Sequence, residues 1–233
     1  MKNIKILLAA IIFVSSFNAC DFTDLDPTDM VGEEVAFKDV DGVYKATIGA
    51  YAKMSLQRTL AIVEYIADDV KQGGQAGGAG TDLAAWTYAA SSSEASSYWL
   101  NNYSLINQCN RVLDFGPNVT PANAEEAATL DDCLGTAYFF RAYAHFELLR
   151  VYADFKDENK PGIPYVSHYH ILGTPARDKV GECYDQLMLD LERAYNMIAA
   201  DAPADKTFVS KVAVNALRAR ISLYRKKYTH AYV

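Results

Sequence analysis

The clearest pattern in the chain is a run of apolar residues with helical spacing, from Leu130 to Asp154. Apolar positions recur at intervals of three and four on three neighbouring faces of this run. A helix that is apolar almost all round is buried on more than one side. The sequence therefore predicts a central helix that other helices surround. Arg141 lies within one of the apolar faces, so we expect its charge to be paired inside the core.

Other segments show the spacing of amphipathic helices, with polar caps or breakers at their ends. They are predicted to begin near Asp39 or Asp41, near Ser55, near Glu94 or Ser96, near Thr174 or Asp178, and after Ser210. Gly116-Pro117 ends the third of them. Thr120-Pro121 predicts the start of the central helix, with Thr120 as cap and Pro121 as the first helical residue. The pattern is typical of an all-α fold of paired, tetratricopeptide-like (TPR-like) helices, with long loop insertions and little or no sheet.

A long polar segment, residues 68–97, interrupts the helical pattern and contains five glycines between Gly73 and Gly80. Loops of this length inside a compact domain are usually functional or disordered. No Gly-Lys-Ser/Thr follows the glycines, so the segment is not a phosphate-binding loop. Trp86 and Tyr88 are large aromatics in otherwise small, polar surroundings. They are expected either to pin the loop to the core or to form an exposed stacking platform for a ligand.

The N-terminus has the features of an export signal. Two lysines precede an apolar stretch, Ile6 to Val14, which is too short to span a bilayer. Small residues then lead to Cys20. We expect residues 1–19 to be a lipoprotein signal peptide, cleaved before Cys20, whose thiol carries the lipid. The alternative is ordinary cleavage near Ala19.

The remaining composition is that of a folded acidic protein. An acidic tether is predicted over residues 20–36 and a helical domain over residues 37–233. The net charge of −7 disfavours nucleic-acid binding. Cys109, Cys133 and Cys183 have no metal or redox spacing, so we expect buried thiols, with a Cys109–Cys133 disulfide as the alternative.

Several motifs, in this order and spacing, resemble the N-terminal half of SusD/RagB-type outer-membrane lipoproteins. They are LDPTD (Leu25–Asp29), YWLNNYSLINQCNRVLDF (Tyr98–Phe115), FFRAYAHFELLRVYAD (Phe139–Asp154), PGIPYV (Pro161–Val166), RDKVGECYDQLMLDLERA (Arg177–Ala194) and KVAVNALRARISLY (Lys211–Tyr224). Ala153 departs from the glycine that is common in the family after the central helix. Because members of the family are roughly twice as long, the helical domain is expected to be incomplete at its C-terminus.

The resemblance implies a non-catalytic glycan- or nutrient-binding lipoprotein, anchored in the outer membrane and facing the exterior. It would pass oligosaccharide to a SusC-like TonB-dependent transporter, and it would use no metal or other cofactor. The matching loop in the family often contributes ligand contacts. Sugars are bound by aromatic faces together with carboxylates and amides. The candidates are Trp86 and Tyr88 as the platform, and Asp68, Asp69, Lys71 and Asp82 as polar partners.

Two other function classes fit parts of the sequence. One is a TPR-like protein-interaction scaffold without glycan binding, which gains support if Trp86 is buried. The other is a glycoside hydrolase that uses Asp68-Asp69 or Glu125-Glu126, although adjacent carboxylates on a helix point apart. His168 and His170 would share one side of a strand and form a weak metal motif. The chain has no recognisable nucleophile or zinc-protease signature.

Overall fold

The computed structural model describes residues 32–54, 62–67, 80–89, 91–170, 173–199 and 206–228. The chain forms two compact units, residues 1–36 and residues 37–233. The only element described in the first unit is a single helical turn, α1, Glu33–Ala36.

The second unit is built from helices. These are α2 (Val40–Lys53), α3 (Thr81–Ala84), α4 (Ser93–Phe115), α5 (Ala124–Tyr152), α6 (Val180–Met197) and α7 (Lys211–Tyr224). Residues 62–66 are also helical, and a short 3₁₀ turn, Gly116–Asn118, follows α4. The described residues contain no β-strand, only one isolated bridge between Pro161 and Lys179. The predicted all-α class is confirmed.

Helix α5 is the centre of this unit, as its apolar faces predict. It packs against α2, α4 and α6, and α7 packs mainly on α6. Its buried residues lie on several faces of the helix, as Ala137, Phe140 and Leu148 illustrate. Such burial around most of its circumference explains why the sequence shows three apolar faces rather than one.

The predicted start of α5 is wrong. The helix begins at Ala124, because the side chain of Asn123 accepts a hydrogen bond from the Glu126 backbone N–H at 2.9 Å. The Glu126 carboxylate in turn accepts from the backbone N–H of Ala122 at 2.8 Å. These two bonds satisfy donors that would otherwise be left free at the helix end, so Thr120 and Pro121 precede the helix.

The other helix starts agree more closely with the sequence. Asp39 caps α2 by accepting from Gly42 N–H at 2.9 Å, and Ser210 caps α7 by accepting from Ala213 N–H at 3.2 Å. Helix α6 begins at Val180, slightly later than expected. There the Glu182 carboxylate accepts from the backbone N–H of Lys179 at 2.9 Å.

The three described cysteines are buried free thiols, and the alternative of a Cys109–Cys133 disulfide is wrong. Burial raises the pKa of Cys109 to about 12 and that of Cys183 to about 11. Both thiols therefore stay protonated and behave as small apolar side chains. Among the helices described, none combines the length and the apolar character that a membrane span requires.

The predicted pairing of Arg141 is confirmed. Its guanidinium donates two hydrogen bonds of 2.7 Å to the Asp190 carboxylate on α6. It also donates to the Asn110 side chain on α4 at 3.0 Å and to the Ser167 backbone carbonyl at 2.9 Å. Burial alone would lower the pKa of Arg141, but the hydrogen bonds and charge of Asp190 outweigh it and raise the pKa. One side chain therefore ties three helices to the segment that joins α5 to α6.

The same connecting segment is held at several further points. The Asn110 amide donates to the carbonyls of Val166 and His168 at 3.0 and 3.1 Å. The Tyr165 hydroxyl donates to Asp190 at 2.8 Å, and its ring stacks on His145 at 3.9 Å. This explains how a stretch without regular secondary structure keeps one path between α5 and α6, because its backbone polar groups find side-chain partners.

Candidate functional site

The short helix α3 holds the segment that carries the predicted platform. Its Leu83 is buried in a small cluster with Ile62 and Tyr98, against which Tyr152 also packs. Gly80 precedes the helix with φ of +70°, and a Cβ there would lie 2.5 Å from the Tyr65 ring. Only glycine fits that position without displacing the ring. The segment is therefore seated on the helical core at both Gly80 and Leu83, not simply extended into solvent.

Trp86 lies at the C-terminal end of this helix in an unusual backbone conformation. Its φ is +58°, in the left-handed region that favours glycine. Trp86 N–H donates to Leu83 C=O at 3.1 Å, and Thr87 N–H donates to Asp82 C=O at 2.9 Å. This pair of bonds is the Schellman arrangement that ends many helices, usually with glycine at the left-handed position. A bulky residue at that position costs roughly 1–3 kcal/mol of folding stability, so the exposed position of the Trp86 ring is maintained against this cost.

Both predicted platform residues are exposed. The Trp86 side chain is 63% exposed and the Tyr88 side chain 50% exposed. The expectation that they pin the loop to the core is therefore wrong. Leu83 has that role, because it is 1% exposed and packs on Tyr98. The exposed aromatic faces are free for stacking.

Asp82 has a local role in the same segment. One carboxylate oxygen accepts from Leu83 N–H at 3.0 Å, and the other accepts from the Ser92 hydroxyl. Ser92 Oγ also accepts from Ala89 N–H at 3.0 Å, so the pair closes the segment onto the start of α4. Three other predicted polar partners, Asp68, Asp69 and Lys71, lie outside the described residues, as does Cys20.

Beside this segment the structure forms an open pocket of about 310 Å³. One wall is apolar and the other carries hydroxyl, carboxylate and amide groups. Its lining residues are Ile62, Tyr65, Ser93, Glu94, Ser97, Tyr98 and Asn101. Trp86 lies three residues after Leu83 in the sequence. Leu83 packs on two of the lining residues, Ile62 and Tyr98. The combination of aromatic surface and hydrogen-bonding groups is the chemistry that sugar recognition uses.

The polar wall is partly organised and partly unsatisfied. Glu94 accepts from Gly80 N–H at 3.1 Å and from the Ser93 hydroxyl at 2.8 Å. The bond from Ser93, followed by those from backbone N–H groups, lowers the pKa of Glu94, which is therefore ionised at neutral pH. The Asn101 amide nitrogen is buried and has no hydrogen-bond partner among the described residues. Sequence reasoning missed this wall, since its members read as ordinary positions on one helix.

A buried charge cluster lies behind the pocket. The Tyr98 hydroxyl donates to the Glu147 carboxylate on α5 at 2.9 Å. Arg150 donates to the same oxygen, and the Arg220 guanidinium on α7 lies 3.7 Å from the other oxygen. That second oxygen of Glu147 and the Arg150 Nε have no hydrogen-bond partner in the part of the chain that the structure describes. The pocket wall is thus connected through one carboxylate to α7.

Among the described residues, which do not include Asp68 and Asp69, the hydrolase and metal alternatives have no assembled site. Glu125 and Glu126 lie at the start of α5, where the Glu126 carboxylate accepts from the Ala122 backbone. They line an open groove of about 580 Å³ with residues that begin α2, including Asp39 and Asp41. Asp39 caps its helix and Asp41 pairs with Lys45 at 2.6 Å, so these acids serve the helix ends.

The two histidines of the weak metal motif lie in the connecting segment, and the expected strand is absent there. His168 Nδ1 lies 3.0 Å from the Asp114 carboxylate. His170 donates its backbone N–H to Asn107 at 3.4 Å. No group of three or more acidic, histidine or cysteine side chains could hold a metal ion among the residues described.

Comparison with solved structures gives the fold a family context. A SusD superfamily protein from Bacteroides fragilis superposes with a TM-score of 0.72 at 20% identity, covering 84% of this chain and 48% of that one. A structure described as a laminarin-binding SusD-like protein has a TM-score of 0.69 at 19% identity, covering 83% of this chain and 42% of that one. At these identities the likeness shows the fold, which is the all-α, TPR-like fold of the SusD superfamily.

The sequence comparisons agree with the structural ones. The SusD-like protein P2 of Formosa agariphila is 24% identical over 241 residues, which cover 99% of this chain and 45% of that protein. The chain thus spans less than half the length of this curated relative. A model of SusD-like proteins, described as "Starch-binding associating with outer membrane", matches residues 21–223. Because that match includes most of the chain, the chain belongs to the SusD-like family.

Proposed function

We propose that the protein is a non-catalytic, cell-surface glycan-binding lipoprotein that delivers oligosaccharide to a SusC-like TonB-dependent transporter of the outer membrane. Membership of a starch-binding, outer-membrane-associated family supports this role. The binding surface is the exposed pair Trp86 and Tyr88 together with the adjoining pocket. Glycan binding needs no reacting groups, which fits a site made of aromatic faces and hydrogen-bonding side chains.

The observation that carries the proposal is the display of Trp86. Its ring is 63% exposed although its backbone is in the left-handed region, where glycine would avoid the strain. A structural role for the ring would require burial, which Leu83 already supplies for this segment. Strained residues that persist in folded proteins cluster at ligand-binding sites, since function maintains them against the energetic cost.

The experiment is a calorimetric titration of the purified chain with laminarin and starch oligosaccharides. Laminarin is chosen because a SusD-like protein of the same fold is described as binding it. We expect wild type to bind at least one of these glucans, and Trp86→Ala to bind it about 10-fold or more weakly, a loss of about 1.4 kcal/mol. Trp86→Phe, which keeps an aromatic face, should retain most of the affinity.

The matched control is Tyr228→Ala, which removes an aromatic ring of similar exposure from another part of the chain. Its affinity should equal that of wild type. If Trp86→Ala binds as tightly as wild type, the platform is elsewhere. If none of the glucans binds, and a wider glycan array also gives no signal, the chain by itself is not a glycan-binding unit.

The lipid anchor has a separate test. Cys20→Ser removes the only thiol at the predicted cleavage site. The variant should lose labelled fatty acid and move from the membrane fraction to the soluble fraction, because acyl chains supply the membrane affinity. Cys183→Ser changes a cysteine that is buried in the domain and should leave the fractionation unchanged. Unaltered membrane partition of the Cys20 variant would contradict the anchor.

A further inference from the structure

The polar wall of the pocket contains a charged acceptor and an unused donor. The acceptor is the Glu94 carboxylate, whose two oxygens accept from Gly80 N–H and from the Ser93 hydroxyl at 3.1 and 2.8 Å. Each of these oxygens can accept a further hydrogen bond. The donor is the buried Asn101 amide nitrogen, which has no hydrogen-bond partner among the described residues. The wall therefore has hydrogen-bonding capacity that the described part of the chain does not use.

These groups form a row along α4. Glu94, Ser97 and Asn101 follow one another at intervals of three and four residues, so they lie on one side of the helix at successive turns of about 5.4 Å. All three line the pocket, and Ile62 and Tyr65 give it apolar surface. A carboxylate, a hydroxyl and an amide in a row beside apolar surface suit the successive hydroxyl groups of an oligosaccharide.

The pocket is acidic. Glu94 is ionised at neutral pH, since the hydrogen bond from Ser93, followed by those from backbone N–H groups, lowers its pKa. No lysine, arginine or histidine is among the described lining residues. The sequence from residue 62 to 101, which includes both the pocket lining and the platform, has five acidic residues and one lysine. Lys53 approaches α4 further along, where it donates to Ser104 at 3.0 Å, and it does not line the pocket.

The arginines behind the pocket do not cancel this charge. Arg150 pairs with the buried Glu147, and Arg220 lies 3.7 Å from the same carboxylate. The Tyr98 side chain stands between this cluster and the pocket, because it lines the pocket and donates its hydroxyl to Glu147 at 2.9 Å. Arg220 is also 47% exposed, so solvent and salt screen it. The charge that a ligand meets at the polar wall is therefore that of Glu94.

This arrangement treats neutral and anionic sugars differently. A sugar hydroxyl both donates and accepts, so it can bond with either the Glu94 carboxylate or the Asn101 amide. An ionised carboxylate or sulfate group can only accept. It could bond with Asn101, but Glu94 would repel it, and like charges repel more strongly in a partly enclosed site than in bulk water.

We infer that the pocket selects neutral oligosaccharides and that Glu94 is the residue that excludes glycans carrying carboxylate or sulfate groups. Asn101 supplies the donor that holds a sugar hydroxyl two turns further along the row. The inference rests on the proposed glycan-binding function, and it adds to that function the class of glycan that is bound.

The test compares three forms of one ligand in calorimetric titrations of the full chain at pH 7. They are a laminarin hexasaccharide, the same hexasaccharide with its primary hydroxyl groups oxidised to carboxylates, and the methyl ester of the oxidised product. The same three forms of a starch hexasaccharide are titrated in parallel. At low salt we expect the neutral sugar to bind about 10-fold or more tightly than the carboxylate form. The uncharged ester should recover most of the lost affinity, and added salt should reduce the difference.

Two substitutions, each with a matched control, test the pocket itself. Glu94→Gln removes the charge but keeps an oxygen that can accept from Gly80 N–H, and it should reduce the preference for the neutral sugar by about 3-fold or more. Glu192→Gln changes the net charge equally at an exposed position on α6 and should keep the preference of wild type. Asn101→Asp replaces the donor with a second anion and should increase the preference, whereas Asn196→Asp, at an exposed position on α6, should not.

Three results would overturn the inference and leave glycan binding intact. The first is equal or tighter binding of the carboxylate forms. The second is a preference that Glu94→Gln and Glu192→Gln change equally, because the net charge of the chain would then be the cause. The third is a glycan array on which only uronic-acid or sulfated glycans bind. If no hexasaccharide and no glycan of the array binds, the proposed function itself fails, which is a result distinct from a loss of discrimination.

Discussion

Two buried charge clusters lie on different faces of the central helix α5, and they differ in how completely their polar groups are paired. In the Arg141 cluster, the guanidinium has partners on α4, on α6 and in the connecting segment, and Asp190 is fully buried. In the Glu147 cluster, one oxygen of Glu147 and the Arg150 Nε lack hydrogen-bond partners among the described residues. Two of its arginines reach the protein surface, at 11% and 47% exposure.

The difference separates a cluster that fixes the fold from one that lies behind the proposed binding surface. A saturated buried network has a single good arrangement and tolerates no missing member. A partly satisfied network retains unused hydrogen-bonding capacity, and it can adjust when its neighbours change. The second cluster borders the pocket of the proposed binding surface through Tyr98, and it reaches α7 through Arg220.

The largest effect is expected from Arg141→Leu. The variant leaves the Asp190 carboxylate buried without its bidentate partner and frees the acceptors on Asn110 and Ser167. Removing one member of a buried ion pair costs about 3–5 kcal/mol. Chemical denaturation should therefore show a free energy of unfolding lower by that amount, or a chain that does not fold.

Arg193→Leu is the matched control for that measurement. Arg193 approaches the same carboxylate at 3.7 Å, and both guanidinium groups lie over the Tyr138 ring, at 5.1 Å for Arg141 and 5.3 Å for Arg193. Arg193, however, is 45% exposed. Exposed pairs contribute about 0–1 kcal/mol, so this variant should be close to wild type. Equal losses for the two arginines would show that the buried network does not hold the fold together.

The central helix and the need to pair its buried arginine were predictable from the sequence, but the identity of the partner was not. The three apolar faces of α5 and the need to pair Arg141 follow from helical spacing alone. Its partner, Asp190, lies 49 residues later on a helix whose relative position depends on packing. The start of α5 was mispredicted for a similar reason. Thr120-Pro121 and Asn123 are equally plausible helix starts in the sequence, and the hydrogen bond between Asn123 and Glu126 selects the second.

The candidate site was predictable to a lesser degree. Trp86 and Tyr88 stand out because large aromatics are rare in a glycine-rich segment, and the structure exposes both. The pocket wall was not predictable, since Tyr65 and Asn101 become neighbours only when distant helices pack. The burial of Glu147 was likewise not predictable. Glu147 lies between the apolar residues Phe146 and Leu148 in the sequence, and helical spacing does not show that its own side chain is buried.

A smaller effect is expected from Glu147→Gln. The amide oxygen still accepts from Tyr98, but Arg150 and Arg220 lose their charge partner. Because both arginines reach solvent, the loss should be about 1–3 kcal/mol, below that of Arg141→Leu. Denaturation under identical conditions measures both variants. A loss as large as that of Arg141→Leu would contradict the distinction between the two clusters.

The effect that is smallest near neutral pH is the acid sensitivity that His145 adds to the saturated cluster. Its Nε2 accepts from Val166 N–H at 3.0 Å, so Nδ1 carries the proton and donates to the Arg141 carbonyl at 2.9 Å. Complete burial, and then the charge of Arg141, lower the pKa of His145 to about 3. A protonated ring could not accept from Val166, and the connecting segment would lose that attachment.

The sign of this effect follows from proton uptake. An unfolded histidine has a pKa of about 6.5, so between about pH 6.5 and 3 the unfolded state binds the extra proton. The stabilisation from neutral His145 is therefore complete above pH 6.5 and is lost as pH falls, by at most about 1.4 kcal/mol per pH unit.

Denaturation of wild type and His145→Gln between pH 7 and 4 isolates this contribution, because the amide can make both bonds without titrating. The variant should show a shallower loss of stability on acidification, whereas His170→Gln, at an exposed histidine, should follow wild type. Identical pH dependence in wild type and His145→Gln would mean that burial does not hold the ring neutral.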